Sequence, residues 1–299
     1  MRMNPIIKKD LQVSARSMRL SWGLFIYEAV LTMAFLLALL IIQEESSNIY
    51  SSNNIYSYLV YLFPVVAIVQ VCIVALITPI ITASSISGEK ERQTFDIMLT
   101  TCMSPFSIVL GKVISAVMRI LFYVVASMPI MALSFVVGGL SWSNLLYLLL
   151  AITLLAVFSG SIGILCSAFC RKSITAVILS FSFYFVIYGL SFLPFLLRIF
   201  LGRGDGGESL LPLLFNPAVF FEEFFMQIMT GYSILGDTPF ARNDVGFITY
   251  WLTHEKVWMF VSAGCILVLA FVFLLVAAWK VNPMHAGSGR RPGKKKREN

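Results

Sequence analysis

The sequence predicts an all-α integral membrane protein with six transmembrane helices and both termini in the cytoplasm. Three observations predict it. Hydrophobic residues make up 59% of the 299-residue chain and charged residues 12%, with a mean hydropathy of +0.87. A water-facing globule carries about 25% charged residues, so this surface is built for lipid. Long uncharged stretches also recur, from Glu45 to Glu89, Arg119 to Arg171, Lys172 to Arg198 and Lys256 to Lys280. Each can supply one or two of the roughly 20-residue apolar helices that cross about 30 Å of hydrocarbon. Finally, the basic residues segregate. With the amino terminus inside, only Arg198, Arg203, Arg242 and Lys256 fall in external segments, and Arg119 lies within a span. Short loops rich in Lys and Arg stay cytoplasmic. The net charge of +7 is therefore a signal of topology in a plasma-membrane protein and gives no reason to expect nucleic acid as a partner.

The spans are expected at about 20–42, 57–82, 106–137, 145–169, 173–197 and 257–279. They are too long and too uniformly apolar for barrel strands. Residues 1–282 read as a single transmembrane domain, and 283–299 as a basic, disordered cytoplasmic tail attracted to lipid headgroups.

Ahead of the first span, Asn4-Pro5 supplies a cap and a first-turn proline. Met3, Ile7, Leu11, Ser14 and Met18 then share one stripe, and Lys8, Lys9, Arg16 and Arg19 the other. That is the pattern of an interfacial elbow helix. Gly138, Gly139, Ser141 and Asn144 mark the turn between spans three and four, and Arg171-Lys172 a tight inner turn between four and five. The external segment 198–256 repeats the cap-plus-proline start at Asn216-Pro217. There Phe220, Phe221, Phe224 and Phe225 face one way, Glu222 and Glu223 the other, and Gly231 ends the helix. This helix should lie at the outer interface or dip in as a re-entrant element that helps to gate the exit.

The five cysteines (Cys72, Cys102, Cys166, Cys170, Cys265) lie in spans or on the inner side, so no disulfide framework is implied. Cys166 and Cys170 share a helix face as small packing residues. The histidines, His254 and His285, show no metal-ligand spacing, and no metal site is expected. Glu28 and Arg119 are the ionisable residues well inside spans. They are expected to pair or to line an inner cavity, unless Arg119 snorkels to the headgroups.

The most informative segment runs from Ser84 to Lys112. Gly88 is expected to end span two, and Glu89 to about Thr101 to form a short amphipathic helix. Glu89 and Glu91 would sit at its positive end, with Phe95, Met98, Leu99 and Cys102 at i, i+3, i+4, i+7 spacing. An apolar stripe held between two membrane helices needs either a lipid surface or a groove in a partner.

Ser85, Ile86, Ser87, Gly88, Glu89, Lys90, Glu91, Thr94, Asp96, Leu99, Thr100, Ser104, Ile108, Val109, Gly111 and Lys112 resemble the signature loop of type-2 ABC transporter permeases, the six-span subunits of the type V exporter fold. Gln93 and Cys102 depart from it, standing where Gly and Pro are usual. The elbow helix, the loop between spans two and three and the outer helices before span six extend the resemblance over most of the chain. It implies a coupling helix that docks into a separate ABC ATPase, present as two copies or two domains and itself holding ATP and Mg. Gly88, Glu89, Glu91, Thr94, Phe95, Asp96, Met98 and Leu99 would carry that contact. It also implies a second permease protomer, identical or related. The chain has no phosphate-cradling loop of its own: Phe106 and Val113 occupy the Gly and Ser/Thr positions around Gly111-Lys112. It is thus expected to bind no cofactor and to be no enzyme by itself. The competing readings are an ATP-independent secondary transporter or channel centred on Glu28, a membrane-embedded enzyme, which lacks convergent polar groups, and a scaffold.

Overall fold

The computed structural model describes Gln12 and residues 17–48, 59–95, 104–138, 142–201, 207–231 and 257–282. Among these residues the chain is all-helical, with no strand. The helices are α1 (Met18–Asn48), α2 (Leu62–Glu91), α3 (Pro105–Ala126), α4 (Met128–Gly138), α5 (Trp142–Phe169), α6 (Ser173–Leu201), α7 (Pro217–Thr230) and α8 (Val257–Val281), with a 3₁₀ segment, Gly207–Phe215, before α7. Six of them are long and apolar enough to cross a membrane: α1, α2, α3, α5, α6 and α8.

The local chemistry explains where several elements begin and end. Ser104 is extended, its Oγ accepts the Ser107 N–H at 3.3 Å, and Pro105 takes the first helical position of α3. Asn216 repeats the arrangement for α7: its Oδ1 accepts the Ala218 N–H at 2.9 Å, with Pro217 next in line. Gly231 closes α7 at φ 73°, in the left-handed region where glycine carries no Cβ penalty.

Among the boundaries that differ from the sequence reading, three matter for the architecture. The third span is not continuous over 106–137 but breaks at Ser127 into α3 and α4. Pro129 cannot donate to the carbonyl four residues back, and its ring crowds that carbonyl. The fourth span begins at Trp142, so Asn144 belongs to the helix and not to the turn. The second span does not stop near 82, and Gly88 does not end it: α2 continues through Gly88 to Glu91. A lone glycine costs a helix only about 1 kcal/mol, less than the tertiary contacts that hold this end supply.

α5 is the central helix. Its residues from Phe158 to Ala168 are all buried. Its closest neighbour is α2, and the two run parallel in fixed register. A Cβ on Gly163 would lie 1.9 Å from Thr82 Oγ1 and 3.1 Å from the Ala83 nitrogen. One turn on, Ser167 Oγ accepts the backbone N–H of Ile86 at 3.0 Å and of Ser87 at 2.8 Å. Ser159, Gly163 and Ser167 thus form a small residue stripe at four-residue spacing that lets the backbones approach. α8 packs on another side of α5, with Ile266, Ala270 and Leu274 buried in the shared core, while its Trp258 packs with Leu213, Leu214 and Val219.

The elbow helix, Gly139 and Ser141, His254, His285 and the tail 283–299 lie outside the described residues.

Candidate functional site

The end of α2 holds three consecutive charged residues, and each is bound to a different helix. Glu89 Oε1 accepts from Lys112 Nζ of α3 at 2.7 Å. Lys90 Nζ donates to the carbonyl oxygens of Ser167 (3.3 Å), Ala168 and Cys170 (3.4 Å) at the last turn of α5. Those carbonyls lack intrahelical partners and form the negative end of the helix dipole. Glu91 Oε2 accepts from the Ser173 N–H at 3.2 Å and the Ser173 Oγ–H at 2.9 Å, at the positive end of α6. Gly88 lies under this contact; a Cβ there would meet Ser173 Oγ at 3.4 Å.

The helix then ends in a Schellman turn. Gln93 N–H donates to Lys90 O at 3.2 Å and Thr94 N–H to Glu89 O at 3.0 Å, while Gln93 takes φ 59°. The departure from the signature at this position thus has a structural meaning. The turn demands the left-handed conformation that glycine adopts freely, and glutamine adopts it here.

This geometry corrects the sequence reading of Glu89 and Glu91. They are the closing residues of α2, not the opening residues of a separate helix. Phe95 is placed inside the chain. Helix resumes at this residue, but its ring is 9% exposed within the chain's own core, with Lys90 Nζ 5.6 Å from its centroid. Asp96, Met98, Leu99 and Cys102 lie outside the described residues. Lys90 and Lys112 were not singled out for this site, although both stand in the signature; nothing local in the sequence reveals which helix each will reach.

The family profile described as "ABC-2 family transporter protein" matches residues 4–200. The chain belongs to that family. The matched region includes the whole Ser84–Lys112 segment and five of the six long apolar helices. The chain is thus a multi-pass membrane protein, a transport subunit of the ABC-2 type. No curated protein matches it significantly.

Within this ABC-2 family chain, Glu28 and Arg119 do not pair. Among the described residues no ion pair joins them, and neither Glu28 Oε1 nor Arg119 Nε has a hydrogen-bond partner. Register is the reason. Tyr27 stacks on Tyr123, with centroids 5.8 Å apart, and its hydroxyl lies 3.5 Å from Ser127 Oγ. A Cβ on Gly23 would lie 2.8 Å from the Tyr123 hydroxyl. These contacts match Tyr27 to the stretch from Tyr123 to Ser127, which lies beyond Arg119 by roughly 6–12 Å along the axis at 1.5 Å per residue. Gln70 Nε2 also donates to Ser127 Oγ at 3.1 Å, so the kink between α3 and α4 is a buried polar junction of α1, α2 and α3.

At the opposite end of the bundle, α7 is enclosed. Phe220, Phe221, Phe224 and Phe225 are buried in the main core. Glu223, however, is 3% exposed, whereas Glu222 is exposed. The side of α7 that carries Glu223 is thus covered as well as the side that carries the phenylalanines. Asn216 Nδ2 donates to Ser191 Oγ (2.9 Å) and Tyr188 O (3.4 Å) of α6, and Ser262 Oγ of α8 donates to Leu214 O at 2.8 Å. Between α2, α6 and α7 lies an open cavity of about 540 Å³ with an almost wholly apolar wall, including Tyr61, Ile68, Cys72, Tyr188, Phe221 and Phe225.

Proposed function

We propose that this chain is the membrane-spanning permease of an ATP-driven exporter in the cytoplasmic membrane, with both termini in the cytoplasm and ATP and Mg held by a separate ATPase subunit. Two permease protomers, identical or related, would enclose the pathway above two ATPase copies or domains. The observation that carries the reading is the end of α2. The signature segment lies in the family-matched region, and its Glu89, Lys90 and Glu91 fix the stem of the loop to α3, α5 and α6. A loop so anchored can pass a push from below into the bundle. The apolar cavity beside α7 suits an apolar or amphipathic cargo, and Phe221 and Glu222 stand where such a cargo would leave.

The test is co-purification with the ATPase encoded beside this chain and measurement of ATP hydrolysis in lipid nanodiscs. Met98→Ser/Leu99→Ser is the informative variant, since Phe95 and Glu89 are engaged inside the chain. The reading expects a complex that hydrolyses ATP and is lost or uncoupled in the variant. If no ATPase associates, the ATP-independent carrier becomes the better account.

A further inference from the structure

We propose that Lys90 and Glu91 are positioning residues that clasp the α5–α6 hairpin to α2, so that a displacement of the signature loop carries α6 as well as the two helices flanking the loop. The coupling role rests on the permease reading; the clasp itself does not.

The argument is electrostatic and geometric. α5 ends at Phe169 and α6 begins at Ser173, so the turn between them brings a negative helix end beside a positive one. Two adjacent residues of opposite charge on α2 meet these two ends in the matching sense, the ammonium on the α5 carbonyls and the carboxylate on the Ser173 N–H and hydroxyl. The same stretch of α2 is already fixed laterally, because Ser167 Oγ accepts the N–H groups of Ile86 and Ser87. At this end of α6, Ile174, Thr175, Ile178 and Leu179 are exposed, while Ala176 and Ser180 are buried. To that packing Glu91 adds the polar contact that ties the first turn of α6 to the end of α2. Glu89 does the separate job of joining α3 through Lys112.

The test uses the full chain in nanodiscs with its five native cysteines replaced. Spin labels at Ser84→Cys and Ile178→Cys report the α2–α6 distance, and labels at Ser84→Cys and Ile114→Cys report α2–α3. The parent should give one narrow distribution for each pair. Lys90→Met/Glu91→Gln should lose the narrow α2–α6 peak while keeping the α2–α3 peak, and Lys90→Arg in place of Lys90→Met should restore part of the former. A variant that merely unfolds would lose both. With the ATPase and a non-hydrolysable ATP analogue bound, the α2–α6 distance should stay constant in the parent and change in the double variant. A double variant that retains the narrow α2–α6 peak overturns the clasp, and a parent whose α2–α6 distance changes on nucleotide binding overturns the coupling. Failure of any ATPase to bind instead counts against the permease reading, and the nucleotide-free widths still decide the clasp.

Discussion

Lys112 Nζ sits 2.7 Å from Glu89 Oε1, so the two stems of the signature loop, separated by 23 positions, are joined by an ion pair. The two partners are unequally buried: the Lys112 side chain is 8% exposed and that of Glu89 27%. Removing one partner from a buried pair leaves the other charge desolvated. Glu89→Gln strands the more buried side chain and should cost about 2–4 kcal/mol, while Lys112→Met leaves the more exposed Glu89, whose Oε2 is nonetheless buried, and should cost about 1–3 kcal/mol. Denaturation of the purified chain in detergent measures both. A larger loss for Lys112→Met would refute this ordering, and a double-mutant cycle should return a favourable coupling energy.

Gln93 supplies a test in the stabilising direction. Its φ of 59° places an L side chain in a region that costs roughly 1–2 kcal/mol. Glycine relieves that strain but adds freedom to the unfolded chain. Gln93→Gly should therefore gain a net amount of about 0.5–1 kcal/mol. Gln93→Val should lose stability, because a β-branched residue tolerates this region least. A rise in melting temperature for the valine variant would show that the turn does not hold in the folded chain.

The α2–α5 crossing predicts a sharp contrast between two neighbouring glycines. At Gly163 a Cβ would meet Thr82 Oγ1 at 1.9 Å, Thr82 Cβ at 2.9 Å and a backbone nitrogen at 3.1 Å. The side chain of Thr82 has no room to give, because its Oγ1 is bonded to Thr78 O at 2.9 Å inside a buried contact. Gly163→Ala should force the helices apart at about 1–3 kcal/mol. At Gly160 the nearest atoms are at 3.6 Å, which is ordinary contact, and alanine is the better helix former. Gly160→Ala should be neutral or mildly stabilising in the same melting assay. Equal losses at both positions would mean that the crossing is not this close.

The parts of this architecture that were legible in the sequence are those set by local rules. Charge gaps and long apolar runs located the six long helices, the first in spite of Glu28 within it, because a charge in hydrocarbon is costly enough to leave a record at single-residue level. Asn216-Pro217 and Gly231 marked both ends of α7, because caps act within one turn. What the sequence did not disclose depends on which helix lies opposite. Gly88 read as a breaker because its propensity is visible, whereas the holds from Ser167 and Ser173, some 80 residues away, are not. Glu222 and Glu223 read alike on a helical wheel, which cannot show that one of them is covered by the rest of the fold. Pairing of Glu28 with Arg119 stood beside a cavity lining and snorkelling as readings, because depth along one helix says nothing of its register against another. The small stripe Ser159, Gly163 and Ser167 could have been found, since four-residue spacing of small residues is a packing signal in apolar helices.

Asn216 joins two tasks that can be separated by substitution. Its Oδ1 caps α7 through the Ala218 N–H, and its Nδ2 donates to Ser191 Oγ and Tyr188 O of α6. The residue is fully buried. Asn216→Ala removes both tasks and should cost about 2–3 kcal/mol, a lost cap plus buried groups left unsatisfied. Asn216→Asp keeps the cap acceptor, and a carboxylate is favoured at a helix start. It cannot donate to Ser191 or Tyr188, however, and it would place a charge against the Tyr188 carbonyl with no water to shield it. If the tie to α6 is the stronger of the two tasks, the aspartate variant at neutral pH should be at least as unstable as the alanine variant. Burial favours its neutral form, so the folded state holds the proton more tightly than the unfolded state and the deficit should shrink as pH falls. An aspartate variant as stable as the parent at neutral pH would show that capping alone fixes Asn216, and that α7 is not held to α6 through it.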